Sequence, residues 1–281
     1  MEKRFLFFAL PIMALLSFVS CGDNDEETDS SKKEQSSPNG ELQEEQSGNE
    51  ESQKVEPSLP PNTNGQEYVD LGLPSGNLWA TMNIGANTIE GNGNRFAWGE
   101  TETKGNDRNN YSKEKYKFYE KGGTDEEGFA YKGGFTKYVS DDNSGCNGFK
   151  DGKRTLEPSD DVAFLTLGGD WRIPSLEDFE ELVTYCKATD VTYKNIQGAK
   201  LTSKNGNWLF FPYVKYIASG ERYGGIAGHY WTNGPFTHGE PYYYSFAYYD
   251  NKLWPGKGYD PNGYSVREFG MVIRAVCSSK K

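Results

Sequence analysis

The chain has 281 residues, of which 35% are hydrophobic and 25% charged, and its formal net charge at pH 7 is −11. The acidic charge is uneven, because residues 22–64 contain twelve acidic and three basic side chains, whereas residues 65–281 contain 28 and 25. The larger part is therefore nearly neutral and has no run of basic residues, which argues against nucleic-acid binding.

The first predicted element is an export signal. Two basic residues precede an apolar run from Phe5 to Phe18, which is shorter than the roughly 20 residues that span a bilayer. The run ends in "FVSC", which resembles the lipobox of bacterial lipoproteins. We therefore expect a signal peptide at residues 1–20 and a lipid anchor on Cys21, with an ordinary cleaved signal as the alternative.

Residues 21–64 are predicted to be a disordered acidic tether. From Gly22 to Asn64 there are no aromatic residues and only three large aliphatic ones, so too little apolar surface is available to offset the entropy of folding. The opening "CGDNDEE" also resembles the acidic export signal of Bacteroidetes-type surface lipoproteins. We expect a lipid-anchored protein of the outer membrane, exposed at the cell surface.

Residues 65–281 are predicted to form one domain. The segment "YVDLGLPSGNLWATMNIGA" contains short apolar stretches broken by turn residues, which indicates a pair of early strands. Two helices follow. Ser159 or Asp160 is the predicted cap of a short first helix that ends at Gly168 and Gly169, and Ser175 is the predicted cap of the second.

Seven blocks in this domain carry a family resemblance. In chain order they are "VDLGLPSGNLWAT", "FAWGE", "LEPSDD", "WRIPSLEDFEEL", "KLTSKNGNWLFFP", "GHYWTN" and "REFGMVIRAV". The ordered set resembles the Fibrobacter succinogenes major paralogous domain over nearly all of residues 66–277. The resemblance implies an α+β, C-type-lectin-like fold, in which the first and last strands pair and two helices flank small twisted antiparallel sheets with long loops.

The resemblance also gives several residues a structural role. It implies a disulfide between Cys186, at the end of the second helix, and Cys277, at the end of the last strand; two buried thiols are the alternative. Cys146 is left over. The tryptophans of the family blocks are predicted to be core residues, and two arginines are predicted to hold backbone carbonyls or acids: Trp79, Trp98, Trp171 and Trp231; Arg172 and Arg274.

The segment "PYYYSFAYYDNKLWPGKGYD" is unusually aromatic. Strand alternation puts Tyr242, Tyr244, Phe246 and Tyr248 on one face, which we predict to be core, and a turn at 250–252 is predicted to follow. The remaining aromatic and small polar residues suit a recognition surface for a glycan or a protein, with packing beneath the loops as the alternative. The predicted ligand-binding residues are Tyr243, Tyr249, Trp254, Tyr259, Asp260 and Asn262.

Signs of catalysis are weak. His229 and His238 are isolated in sequence, so His229 is expected to pack and His238 to lie in a loop. Glu100, Asp160 and Asp161 are the acids within family blocks, and a loop hydrogen bond and a helix cap account for them. We expect no catalytic residue, cofactor or catalytic metal; the sequence leaves a structural calcium ion open.

We therefore expect a noncatalytic surface protein that binds a glycan or protein ligand, attached to the membrane through Cys21. Two alternatives stay open. The domain could be a structural subunit of a fimbria-like or envelope assembly, with the aromatic surface as its interface. It could also be a polysaccharide-acting enzyme, which would need two carboxyl groups close together across a cleft. The oligomeric state is not predicted.

Overall fold

The computed structural model describes residues 61–140, 144–219, 226–237, 240–250, 252–258 and 267–279. The predicted anchor, Cys21, and almost all of the predicted tether lie outside these ranges. So do Tyr259, Asp260, Asn262 and His238.

Fourteen strands, two α-helices and four 3-10 turns make up the described part. The strands are β1 (Tyr68–Val69), β2 (Leu78–Ala80), β3 (Tyr119–Glu120), β4 (Gly123–Thr124), β5 (Ala130–Tyr131), β6 (Gly134–Phe135), β7 (Trp171–Arg172), β8 (Cys186–Tyr193), β9 (Ile196–Ser203), β10 (Trp208–Pro212), β11 (Ile226–Thr237), β12 (Glu240–Tyr249), β13 (Lys252–Gly258) and β14 (Val276–Cys277). The helices are α1 (Val162–Leu167) and α2 (Leu176–Tyr185), and the 3-10 turns are Arg108–Asn110, Lys113–Lys115, Cys146–Gly148 and Pro158–Asp160.

A four-stranded sheet joins the two ends of the domain in the order β1-β2-β14-β7. Val276 of β14 pairs with Trp79 of β2 on one side and with Arg172 of β7 on the other. The family resemblance implies that the first and last strands pair; in the structure the last strand lies beside β2, and β1 is the outer strand.

Two three-stranded sheets complete the main framework, in the orders β10-β9-β8 and β11-β12-β13. All pairings between named strands are antiparallel, and β3-β6 and β4-β5 form two short ribbons. The described chain is thus α+β, with mostly small antiparallel sheets and two helices.

Local sequence accounts for both helix starts. Ser175 caps α2 as predicted and forms a capping box with Asp178, because each side chain meets the backbone N–H of the other. The cap of α1 is Asp161, whose carboxylate accepts hydrogen bonds from the N–H groups of Ala163 and Phe164. The predicted caps of α1, Ser159 and Asp160, are wrong because they belong to the preceding 3-10 turn.

The core is strongly aromatic. The four tryptophans of the family blocks are each at most 1% exposed, which confirms their predicted burial. On β12, Tyr244 and Phe246 are also buried, and the ring of Tyr244 stacks on Phe179 of α2 with 4.7 Å between centroids. Tyr242 packs against the same cluster. The predicted core face of this strand is therefore confirmed at its centre.

The two arginines have the predicted roles. The fully buried guanidinium of Arg274 donates hydrogen bonds to the backbone carbonyls of Ala80, Thr81 and Phe210, so strands distant in sequence are tied together. Arg172 forms a two-pronged ion pair with Asp178, with N–O distances of 2.5 and 3.0 Å.

The expected Cys186–Cys277 disulfide is not present. Both residues are buried free thiols, and they lie in different hydrophobic clusters on opposite sides of the sheet region. The resemblance placed them in suitable elements, but the side chains pack into separate parts of the core. Burial raises the pKa of each thiol to about 11, which keeps both protonated at neutral pH.

The ordered domain includes the end of the predicted tether. The backbone N–H of Asn62 donates to Asp170, the amide of Asn64 donates to the carbonyl of Leu167, and the indole of Trp171 donates to the carbonyl of Thr63. Residues 62–64 thus pack on the α1–β7 region, which places this boundary a few residues earlier than the sequence suggested.

Candidate functional site

An open groove lies beside the aromatic hairpin. It has a volume of about 560 Å³, within the range typical of ligand sites, and it lies between β8 of one sheet and β13 of the other. Its lining residues are Ala188, Thr189, Asp190, Tyr248, Lys252, Leu253 and Trp254.

Trp254 is exposed because of the register of the hairpin. Leu253 pairs with Tyr248 and packs against the core, whereas Trp254, the next residue along β13, pairs with Ala247 on the other face and is 48% exposed. β13 is the outer strand of its sheet, and Pro255 is compatible with that position because an edge strand has unpaired N–H positions. An apolar ring is therefore presented at the rim of the groove.

Asp190 supplies a carboxylate to the same groove. Its Oδ1 accepts a hydrogen bond of 2.8 Å from the hydroxyl of Tyr213 and a long one of 3.5 Å from the amide of Gln197. No group in the described part of the chain donates to its Oδ2. Burial raises the pKa of Tyr213, and the neighbouring Asp190 raises it further, so this hydroxyl stays protonated and orients the carboxylate.

The hairpin turn adds a positive charge to the rim. β12 ends at Tyr249 and β13 begins at Lys252, which pair with each other, and Asp250 adopts a positive φ of 51°. This confirms the predicted turn. Lys252 is exposed, and its ammonium group has no carboxylate within 4 Å among the described residues.

The structure separates Trp254 from Tyr243, the two predicted ligand residues whose side chains it describes. Trp254 lines the groove, whereas Tyr243 is half-buried, with its ring 5.5 Å from His229 and 6.4 Å from Trp231, and packs against the core. Tyr249 is described only as a backbone partner of Lys252. Sequence reasoning missed Asp190, because nothing near it in sequence connects it with the hairpin.

The acids within the family blocks have structural partners. Glu100 accepts hydrogen bonds from the backbone of Lys117 and the ammonium group of Lys104, which confirms the expected loop contact. Asp160 is 3% exposed and accepts from the hydroxyl of Tyr138 and the ammonium groups of Lys117 and Lys137. It is therefore the buried acceptor of two partly exposed lysines and a tyrosine, and it does not cap a helix.

Other cavities in the described part of the chain include two that lie away from the aromatic hairpin. One, of about 340 Å³, lies between the β2 region and the end of α1, and the other, of about 310 Å³, lies beside Arg95 and Lys215. Neither of these nor the groove is lined by two carboxylates. Among the described residues, no three His, Cys, Asp or Glu side chains come together as metal ligands would.

His229 has the packing role that the sequence predicts. Its ring contacts Tyr216 and Tyr243 at centroid distances of 5.1 and 5.5 Å, and its buried Nδ1 has no hydrogen-bond partner in the described structure. Burial lowers the pKa of His229 to about 4. The ring is therefore neutral at physiological pH.

Comparisons of the chain with protein-family models, with curated proteins and with solved structures gave no match. The resemblance to the paralogous domain family thus depends on the sequence blocks alone. The helices of the described ranges are all too short or too polar to cross a membrane.

Proposed function

We propose that this protein is a noncatalytic binding module that recognises a glycan through the groove between β8 and β13. The observation that carries the proposal is the half-exposed ring of Trp254 beside the open Oδ2 of Asp190. An aromatic ring packs against the apolar C–H face of a sugar, while a carboxylate accepts hydrogen bonds from its hydroxyl groups.

The other lining groups support the same ligand class. Thr189 and Tyr248 offer hydroxyl groups, and Lys252 offers an ammonium donor at the rim. A mostly apolar wall with a few oriented polar groups is the usual composition of a small-ligand site. The carboxylate is also held in place before binding by Tyr213, which lowers the entropic cost of association.

The proposal includes a C-type-lectin-like fold and a surface lipoprotein anchored at Cys21. Support for the fold comes from the ordered sequence blocks, from the final strand lying within the N-terminal sheet, and from the two helices beside small antiparallel sheets. Support for the anchor comes from the "FVSC" segment and the acidic residues that follow it.

Binding of the full chain to a broad glycan array, with and without a calcium chelator, tests the function. We expect Trp254→Ala to weaken binding about tenfold, because a contact with an aromatic ring is worth on the order of 1 kcal/mol and about 1.4 kcal/mol corresponds to a tenfold change in Kd. Tyr68→Ala is the matched control, since Tyr68 is also 48% exposed but lies on β1.

Two outcomes would contradict the glycan proposal. Equal weakening by both variants would show that the groove is not the site. Absence of any glycan signal, together with association of the chain that increases with concentration and is lost in Trp254→Ala, would make the groove a subunit interface.

The anchor has a separate test. In a bacterial host that lipidates cysteines, the wild-type chain should enter the detergent phase on phase separation, and Cys21→Ser should stay in the aqueous phase. Equal partitioning of the two proteins would refute lipidation at Cys21.

A further inference from the structure

The outer face of the β8–β9–β10 sheet is a second surface with unusual chemistry. Alternation along the strands directs Ala199, Leu201, Leu209 and Phe211 into the core. The opposite side of the sheet is defined by the outward positions, among them Lys187, Val191, Tyr193, Lys200, Thr202 and Trp208. We call this side the outer face.

Three aromatic rings form a platform on the outer face. Tyr193 lies 5.6 Å from Trp208 and 5.5 Å from Phe210 between ring centroids. Phe210 is buried, whereas Tyr193 and Trp208 are partly exposed. Gly198 leaves the necessary room, because a Cβ there would lie 2.5 Å from the ring of Phe210. Two partly exposed rings thus lie on the outer face beside a third, buried one.

The outer face is also positively charged. The ammonium group of Lys200 lies 4.5 Å from the centre of the Trp208 ring, and that of Lys194, in the β8–β9 turn, lies 5.4 Å from the Tyr193 ring. Lys187 is exposed on the same face, diagonal to Lys200 across the two strands, a spacing of about 7–8 Å.

Negative charge is lacking at these positions. None of the outward residues of β8, β9 and β10 is an acid, since Asp190 alternates to the opposite side. Within the described ranges, neither Lys187 nor Lys200 has a carboxylate within 4 Å; Lys194 alone of these lysines has one, Glu90. The two ammonium groups are therefore available to an external anion.

We propose that the outer face binds an acidic polysaccharide, a chain of uronate-type sugars. Its carboxylates pair with Lys187 and Lys200, and the C–H faces of its rings lie on Trp208 and Tyr193. Because the face carries two neighbouring lysines and two neighbouring aromatic rings, it can contact successive sugars of a polymer. A single anion would use only one of these positions. Thr189, the cross-strand partner of Lys200, also lines the Trp254 groove, so the two sites adjoin but use different side chains.

Binding of the full chain to polygalacturonate, with its methyl-esterified form as the uncharged counterpart, tests this proposal. We expect the acid form to bind more tightly and to weaken as salt is added. The double variant Lys187→Gln/Lys200→Gln should bind about tenfold more weakly, because two exposed ion pairs are lost. Trp208→Ala should also weaken binding, and Trp254→Ala should leave it unchanged.

The control is Lys115→Gln/Lys121→Gln, which makes the same change in net charge at exposed lysines outside this sheet. Equal weakening by the control would overturn the proposal, since attraction would then be a property of overall charge. Equal affinity for the esterified polymer, or tighter binding of single-stranded nucleic acid of equal charge, would overturn it as well. Loss of binding in Trp254→Ala would show that there is only one site.

Discussion

Asp160 and Asp190 are two aspartates in contrasting surroundings. Asp160 is 3% exposed and its carboxylate is surrounded by donors from Tyr138, Lys117 and Lys137. Asp190 is half-buried, is held on one oxygen by Tyr213, and has Oδ2 open to the groove. Both carboxylate oxygens of Asp160 accept hydrogen bonds within the protein, whereas Oδ2 of Asp190 can accept one from a ligand.

The contrast shows that burial and charge alone do not identify a binding site. Burial works against the ionised form of Asp160, yet hydrogen bonds from Lys137 and Tyr138 lower its pKa. The lowered pKa of Asp160 thus reflects an ion pair that stabilises the fold, not a binding site. What distinguishes Asp190 is an unoccupied acceptor atom beside an exposed aromatic ring.

The largest effect is expected at Asp160. Asp160→Asn should lower the free energy of unfolding by about 3 kcal/mol, because the carboxylate that accepts hydrogen bonds from Tyr138, Lys117 and Lys137 is replaced by a neutral amide. Lys137 keeps one ion pair, with Glu157. Urea denaturation measures this loss. Glycan affinity of the folded variant should be unchanged; a loss of affinity with stability retained would break the contrast between the two aspartates.

His229 sharpens the contrast because its buried Nδ1 has no hydrogen-bond partner among the described residues. Its pKa is about 4 in the folded protein and about 6.5 when unfolded, so the unfolded state binds more protons between these values. Stability should therefore fall as pH decreases from 6.5 to 4, by on the order of 2 kcal/mol from this group. Urea denaturation at pH 7 and pH 4.5 measures the change.

The variant His229→Phe is the control for this pH dependence of stability. It keeps an aromatic ring between Tyr216 and Tyr243 and removes the titration, while the other histidine, His238, and the nearby Lys215 are present in both proteins. The variant should lose less stability on acidification than the wild type. Equal losses would show that His229 does not carry this pH dependence.

Asp190→Asn should separate binding from stability. We expect about tenfold weaker glycan binding, because an amide is a poorer acceptor than a carboxylate, and a change in unfolding free energy below about 0.5 kcal/mol. Isothermal titration with the best array ligand and urea denaturation measure the two quantities. A large loss of stability would show that Asp190, like Asp160, serves to stabilise the fold.

The smallest effect is expected for Tyr213→Phe. The variant removes the hydroxyl that orients Asp190 and keeps the ring, so affinity should fall about threefold through lost preorganisation. The same titration detects it. In the Asp190→Asn background the second change should have little further effect; full additivity of the two losses would show that Tyr213 does not act through Asp190.

Much of the local structure was predictable from sequence. The cap at Ser175 is encoded within a few residues of the start of α2, and the alternation along β12 correctly assigned Tyr244 and Phe246 to the core. The cap of α1 was missed by one residue because adjacent serine and aspartate residues offer equivalent local caps. Which of them serves depends on the preceding 3-10 turn.

The sequence by itself determined the helices, the aromatic core and the exposure of Trp254, because these follow from the periodicity of neighbouring residues. The tertiary structure alone decided that Asp190 and Trp254 line one groove and that Lys187 and Lys200 share a face with Trp208. It also decided that Cys186 and Cys277 pack in different hydrophobic clusters. These relations depend on how three sheets pack against one another. No local pattern specifies such packing, since it results from the shape of the whole core.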